Sequence, residues 1–233
     1  MRAPRRQPLF LQPGDPIAFP DPSAFDAEGL VAVGGDLRPE RLVAAYASGV
    51  FPWYSEGYLP MWWSPDPRAV FEPAGGHVSH SLRKVLKRAA FELSFDTCFA
   101  RVMRECGRGR TDGTWILPER VVAYEELHRR GAAHSLEVWV DRELVGGIYG
   151  VQVGGLFAAE SMFHRRRDMS KVALVALLQS LTAAGIELFD VQFATPHLQS
   201  LGAVELPRRE YLRRLTVVRD LTVDLRGLLP RLG

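Results

Sequence analysis

Asp190 and Gln192 stand two apart in Leu188-Phe-Asp-Val-Gln-Phe193, and on a strand that spacing turns both side chains to one face. The run around them is apolar. A carboxylate and an amide buried there must each find a partner, because burying either alone is costly. Either they satisfy each other or a loop backbone, or they serve a reacting group. Glu160 poses a similar choice at the end of a strand-like run, between a solvated strand end and a site carboxylate. Trp53, in a proline-rich stretch, and Trp115, after Thr111-Asp-Gly-Thr, lie outside regular patterns. Such a pair could clamp a nucleobase by stacking or pack at a domain interface. Arg83, Lys84, Lys87 and Arg88 fall on one expected helix and could meet phosphates or form a solvated face. His197 has the chemistry of a general base, but no Ser, Cys or Asp partner accompanies it in sequence. It reads as a structural residue at a helix start.

The elements that must position these residues follow from periodicity and capping. Asp36 is placed to cap a helix carrying Arg41–Tyr46 that stops at Gly49. Ser79 opens a basic helix through Ala89, Asp96 a helix through Cys106, and Ser170 a helix over Lys171–Ala184. Pro118 fits the first turn of a helix running to Gly131. Strands are expected over Phe91–Phe95, Ala133–Val140, Leu144–Val153, Leu156–Glu160 and Ile186–Phe193, with turns at Asp141-Arg142 and Gly154-Gly155. A basic helix over Pro207–Leu215 follows. Helices and strands interspersed in this order make an α+β chain.

The 233 residues are 47% hydrophobic and carry a net charge of only +2, as in an ordinary globular protein. No apolar run approaches the roughly 20 residues that a membrane helix needs. The basic N-terminus lacks the apolar stretch of a signal peptide, so a cytoplasmic protein with no membrane partner is expected. Cys98 and Cys106 have no companion Cys/His cluster and read as reduced structural thiols, with neither a disulfide nor a metal. Charge shifts near Asp66-Pro67. Residues 1–66 hold 5 basic and 8 acidic side chains, residues 67–233 hold 24 and 19, and a domain boundary is expected there. The basic residues are nearly all arginine, which suits phosphate but also follows from a GC-rich genome.

Several dense segments agree in order and spacing. They are Gly49-Val-Phe-Pro-Trp-Tyr-Ser55, Met61-Trp-Trp-Ser-Pro-Asp-Pro-Arg68, Glu160-Ser-Met-Phe163, Phe189-Asp-Val-Gln-Phe193 and His197-Leu-Gln-Ser-Leu-Gly-Ala203. Through them the chain, over residues 17–215, resembles the leucyl/phenylalanyl-tRNA–protein transferases, bacterial enzymes that move an amino acid from tRNA to a protein N-terminus. The resemblance implies a small N-terminal domain over 1–66. A GNAT-like acyltransferase domain over 67–233 then follows, with a mixed, mostly antiparallel sheet flanked by helices. It implies Leu-tRNA and Phe-tRNA as donors, with Met a further option, and acceptor proteins beginning with Arg or Lys that are thereby marked for N-degron degradation. It also implies a monomer. The donor ester is already activated, so no cofactor or metal is required.

The same resemblance implies roles for single residues. Asp190 acts through Gln192 on the attacking amine, and Glu160 lines the site. Ile148, Phe157, Met162, Leu174 and Leu177 form the aminoacyl pocket. Trp53 and Trp115 sandwich the terminal adenosine, while Arg83, Lys84, Lys87 and Arg88 meet the tRNA backbone. Apart from the resemblance, Arg165–Arg167 stand before a helix N-terminus and could add phosphate contacts. Trp62, Trp63 and Trp139 read as packing residues. Two positions depart from the family pattern: Thr195 stands where asparagine is frequent, and His80 where arginine is common.

The stretch Phe163-His-Arg-Arg-Arg-Asp-Met-Ser-Lys171 has no glycine to cradle a pyrophosphate, which disfavours coenzyme A as donor. Two other readings stay open: a different GNAT-type transferase, and a non-catalytic RNA-binding protein whose binding ignores Asp190 and Gln192. On the transferase reading, Asp190→Ala is expected to abolish transfer with the fold intact.

Overall fold

The structure, a computed structural model, describes residues 6–73, 76–108 and 114–232. Its first part is a four-stranded sheet built from β1 (Leu9–Leu11), β2 (Leu30–Gly34), β3 (Phe51–Pro52) and β4 (Met61–Trp63), in the order β1-β2-β4-β3, with α1 (Pro39–Ala47) between β2 and β3. The chain then enters a seven-stranded sheet at β5 (Arg68–Phe71). The connected elements are α2 (His80–Arg88), β6 (Glu92–Phe95), α3 (Phe99–Gly107), α4 (Pro118–Arg129), β7 (Ala133–Val140), β8 (Glu143–Val153), β9 (Leu156–His164), α5 (Met169–Ala183), β10 (Leu188–Gln192), α6 (Pro196–Ser200), β11 (Val204–Leu206) and α7 (Arg208–Val218).

The large sheet has the order β11-β5-β10-β9-β8-β7-β6. Its pairs are antiparallel except β9 with β10, which run parallel across the α5 crossover. The fold is thus α+β with a mixed, mostly antiparallel sheet flanked by helices. The hairpin from β7 to β8 turns at Asp141 and Arg142, both at positive φ, the two-residue turn whose twist matches the strands. Helix α5 is apolar nearly all round because it packs between the sheet and other elements. Val172, Leu174, Leu177 and Leu181 join Leu136, Ile148 and Phe157 in one core. A second core on the opposite face joins Phe99, Tyr124, Tyr149 and Leu156 to Val31, Leu42, Tyr46 and Trp62 of the first sheet and α1. The two sheets therefore share a hydrophobic core. Among the described residues no helix is long and apolar enough to cross a membrane.

Several expected caps are placed differently. Ser79 does cap α2, its Oγ accepting from the Leu82 N–H at 3.2 Å. Asp36 does not cap α1, whose N-cap is Arg38; its carboxylate instead takes the Arg38 N–H (3.1 Å), Arg38 Nε (2.9 Å) and the buried Arg41. Asp96 likewise leaves the N-cap of α3 to Cys98 and takes the Ser135 N–H and His134 Nδ1. Ser170 sits inside the first turn of α5, whose N-cap is Asp168. In the first two cases a charged or buried donor nearby outcompetes the helix end for the carboxylate. Strand β9 runs on to His164, beyond the expected end at Glu160, and β10 stops at Gln192.

Gly49 ends α1 as the sequence implied. At φ +76° its N–H donates to the Tyr46 carbonyl, the left-handed closing turn that favours glycine. A Cβ there would stand 2.5 Å from Leu212 Cδ2 and 3.3 Å from the Tyr211 ring. Gly49→Ala is expected to lower the unfolding free energy by about 1–3 kcal/mol, from left-handed strain and overpacking together. Urea denaturation monitored by tryptophan fluorescence measures it.

Candidate active site

The site begins where two strands part. Strands β9 and β10 pair only over Leu156–Ala158 and Leu188–Asp190. Beyond that point β9 stays with β8, while Gln192 pairs with Ala69 of β5. Two local irregularities shape the opening. In β9 the register passes from Ala159 opposite Gly150 to Ser161 opposite Tyr149, so Glu160 is the extra residue of a bulge and is re-aimed by it. In β10 the register shifts between Asp190 and Gln192, and Gln192 takes φ +59°. Its amide, oriented by its partners, donates to Ala159 O (3.0 Å) and Val191 O (3.1 Å). The side chain of Gln192 thus satisfies carbonyls at the parting.

The regular alternation expected of Asp190 and Gln192 is therefore broken. Their side chains do not bond to each other. The link is the Gln192 backbone N–H, which donates to Asp190 Oδ1 at 2.9 Å. Asp190 is fully buried and also accepts from Arg68 Nε (2.8 Å), Arg68 Nη2 (2.6 Å) and the Tyr211 hydroxyl (3.0 Å). Arg68 donates its remaining Nη1 to the Gly49 carbonyl (3.1 Å), with its guanidinium against the rings of Phe51 and Tyr211. Burial opposes the charge of Arg68, but Asp190 outweighs it and pushes the guanidinium above its ordinary value.

Glu160 forms a second pair of the same design. Arg120 Nη2 donates to Oε2 at 2.6 Å, the Tyr46 hydroxyl to Oε1 at 2.7 Å, and the side chain is 4% exposed. Arg120 Nη1 donates to the Pro52 carbonyl (2.9 Å), and Nη2 also reaches the Tyr124 hydroxyl (2.9 Å). Burial pushes the Glu160 carboxyl above the usual carboxylate range, while Arg120 and Tyr46 work against that shift. The expected choice at Glu160 is resolved: it is a buried, paired carboxylate and not a solvated strand end.

Two confluent cavities occupy the opening. One, of about 370 Å³, is lined by Trp53, Trp115, Phe51, Arg120, Glu160 and Gln192 among others. The other, of about 300 Å³, is walled by Ile148, Met162, Leu174, Val191 and Leu198, with His197 also on its lining. Trp115, Glu160, Gln192 and Thr195 border both. An aromatic chamber and an apolar chamber thus meet at one carboxylate and one amide.

A family model described as leucyl/phenylalanyl-tRNA protein transferase matches residues 70–216, and that of its N-terminal domain matches residues 35–66. The leucyl/phenylalanyl-tRNA–protein transferase of Anaeromyxobacter sp. (strain K) is 51% identical over 211 residues, covering 89% of this chain and 90% of the relative. The chain belongs to this family. It is accordingly an aminoacyltransferase. The transferase of Desulfatibacillum aliphaticivorans is 52% identical, covering 85% of this chain and 87% of its own length; that of Edwardsiella ictaluri is 47% identical, with 92% and 90% covered. Among solved structures, L-PGS from Bacillus licheniformis is similar at a TM-score of 0.39 and 13% identity, covering 72% of this chain and 57% of that one, a likeness too partial to bear on activity.

Against this family's expected site, the structure brings together Asp190, Gln192, Glu160, Trp53, Trp115, Ile148, Met162 and Leu174 around the opening. Trp53 is 42% exposed and leans on Trp63 and Phe193. Trp115 lines both cavities; the Thr111-Asp-Gly segment before it lies outside the described residues. Phe157 and Leu177 stand behind the lining, in the core between α5 and the sheet. Arg83, Lys84, Lys87 and Arg88 are all exposed on α2, and none forms an ion pair among the described residues. The segment leading into α2 is tied to the cavity-bordering α6 by the His77 N–H, which donates to Leu201 O at 2.8 Å. Of the three arginines expected to meet phosphate, Arg165 is held by Glu105 at 2.7 Å, and Arg166 and Arg167 have looser carboxylate partners, Asp141 at 3.7 Å and Asp168 at 3.6 Å. Thr195 caps α6, its Oγ1 accepting from the Leu198 N–H at 3.2 Å. The sequence reading missed Arg68, Arg120, Tyr46, Tyr124 and Tyr211. The available signal was Asp190 itself, since a carboxylate in so apolar a strand requires a cation.

Replacing Asp190 by alanine strands the buried Arg68, contrary to the expectation of an intact fold. Asp190→Ala is expected to cost about 3–5 kcal/mol of stability, whereas Arg68→Met with Asp190→Leu costs less than either single change. Urea denaturation of Asp190→Ala, of Arg68→Met and Asp190→Leu singly, and of the double variant checks this.

Proposed function

We propose that this transferase moves Leu or Phe from aminoacyl-tRNA to the α-amino group of proteins that begin with Arg or Lys, marking them for degradation. The observation that carries this reading is the meeting of the apolar and aromatic chambers at Gln192 and Glu160. The apolar chamber, walled by Ile148, Met162 and Leu174, suits a leucyl or phenylalanyl side chain. Phe157 and Leu177 back it. Methionine in the wall adapts to branched and aromatic guests alike, which allows some breadth toward Met. Trp53 and Trp115 in the adjoining chamber suit stacking on the terminal adenosine. The ester joining adenosine to amino acid then falls at the junction. The exposed cations of α2, Arg83, Lys84, Lys87 and Arg88, suit the tRNA backbone.

The reaction is aminolysis of an ester. The amine lone pair attacks the acyl carbon, a tetrahedral oxyanion forms, and the tRNA hydroxyl leaves. The acceptor α-amine has a pKa near roughly 8, so part of it is already neutral at pH 7. Alignment is therefore the main demand on the protein. Gln192 sits where its amide can orient the amine, and Asp190 holds the Gln192 backbone at φ +59° through the N–H bond. Asp190 thus acts as a positioning residue. The Glu160 carboxylate borders the junction, held there by Arg120 and Tyr46.

Transfer of radiolabelled Leu from charged tRNA to peptides beginning Arg, Lys, Asp, Glu or Ala tests the assignment. Label is expected on the Arg and Lys peptides alone; label on Asp or Glu peptides would overturn the acceptor rule. Trp53→Ala removes one stacking face, worth about 1–3 kcal/mol. It is expected to raise KM for charged tRNA by about tenfold to a hundredfold, measured by steady-state transfer at varied tRNA concentration.

A further inference from the structure

The proton lost by the attacking amine needs a destination, and the obvious acids of the site are engaged. Asp190 accepts four hydrogen bonds, from two Arg68 nitrogens, the Tyr211 hydroxyl and the Gln192 N–H, and does not border either cavity. Glu160 does border both, but its two oxygens take Arg120 and Tyr46. Protonating it would leave the buried Arg120 without its counter-charge. Gln192 is an amide and cannot accept a proton at neutral pH.

Of the residues that wall the apolar chamber, one other side chain titrates near neutrality: His197, in the first turn of α6. Its ring makes no hydrogen bond among the described residues, and the residue lines the chamber. Resting on the aminoacyl-transfer reading, we propose that His197 is the catalytic residue that accepts the amine proton and returns it to the leaving tRNA oxygen. As the amine nitrogen bonds to the acyl carbon, its N–H proton passes to the neutral imidazole. When the acyl carbon–oxygen bond breaks, the imidazolium gives that proton to the departing ribose oxygen. An amide and a free hydroxyl result, with no other reactant.

The surroundings keep the imidazole in its accepting form. Partial burial, then Lys171 of α5 and His164 of β9, hold its pKa below the usual histidine value. Glu160, across the chamber on β9, is the facing acid, and Arg120 neutralises it. Protonation of His197 is therefore complete only in acid, and the rate is expected to rise with pH through a value below 6.5 before the acceptor amine limits it.

Single-turnover transfer from Leu-tRNA to an Arg-initiated peptide, across pH 5 to 9, tests this. His197→Gln and His197→Ala are expected to lose at least about a hundredfold in rate with KM for charged tRNA little changed. The low-pH limb should vanish with them, and added imidazole should restore part of the rate to His197→Ala. Lys171→Met, which removes a repelling cation, should move that limb upward. Wild-type rate and pH profile in both His197 variants would overturn the proposal while wild-type transfer upholds the underlying reading. A slow His197→Ala that imidazole cannot rescue would assign the histidine a structural part and overturn it equally. No transfer by the wild-type protein would overturn both.

Discussion

Two buried arginine–carboxylate pairs decide the arrangement of everything else. Arg68 with Asp190 and Arg120 with Glu160 share a plan: an acid from the parting strands, a guanidinium at its oxygens, and a spare N–H on a carbonyl of residues 49–52. The spare bonds matter as much as the pairs. They fasten Gly49 and Pro52, the approach to Trp53, to the central sheet. The aromatic wall of the site is thereby referenced to two carboxylates, Glu160 on the lining and Asp190 buried behind it. Buried pairs of this kind add little net stability compared with apolar replacements, yet losing one member is severe. Their value here is register: they fix which backbone faces which.

The opening itself is a consequence of strand pairing. A continuous parallel ladder between β9 and β10 would leave no room for a ligand. The bulge at Glu160 and the left-handed Gln192 end that ladder after three residues and turn unpaired edges toward the cavity. Ending a ladder orphans backbone carbonyls, and an orphan in a buried place is costly. The Gln192 amide removes part of that cost by taking Ala159 O and Val191 O. One side chain thus serves the fold and the site. This explains why an amide, with both donor and acceptor, suits the position better than a carboxylate would.

Much of this was legible in the sequence. Strand β7, helix α4 from Pro118, the α2 cap at Ser79 and the stop at Gly49 follow from local rules because local interactions determine them. The cap assigned to Asp96 went elsewhere because its carboxylate met a partner distant in sequence, His134 on the neighbouring strand, while Asp36 turned to the nearby guanidinium groups of Arg38 and Arg41. The same limit hid Arg68 and Arg120. In an arginine-rich chain nothing local distinguishes a buried guanidinium from a solvated one. The period-two rule failed at Asp190 and Gln192 for another reason: it assumes a regular strand, and function required an irregular one. Legibility declined where the chain departs from periodic structure, which is where the site is.

The division of labour between fixed and titrating groups follows from the same physics. A carboxylate that anchors a buried arginine must stay ionised through every turnover, since each protonation would uncouple the pair and loosen residues 49–52. Such an anion can orient and attract, but it is poorly placed to carry a proton. A group that cycles its charge must stand where charging disturbs no pair, open to the ligand and near enough to water to bear the cation. His197 occupies that position at the edge of the apolar chamber, on a short helix whose own cap, Thr195, is neutral. Asp190 and Glu160 are held in place by their arginines, and the site can then change protonation at its rim without disturbing its frame.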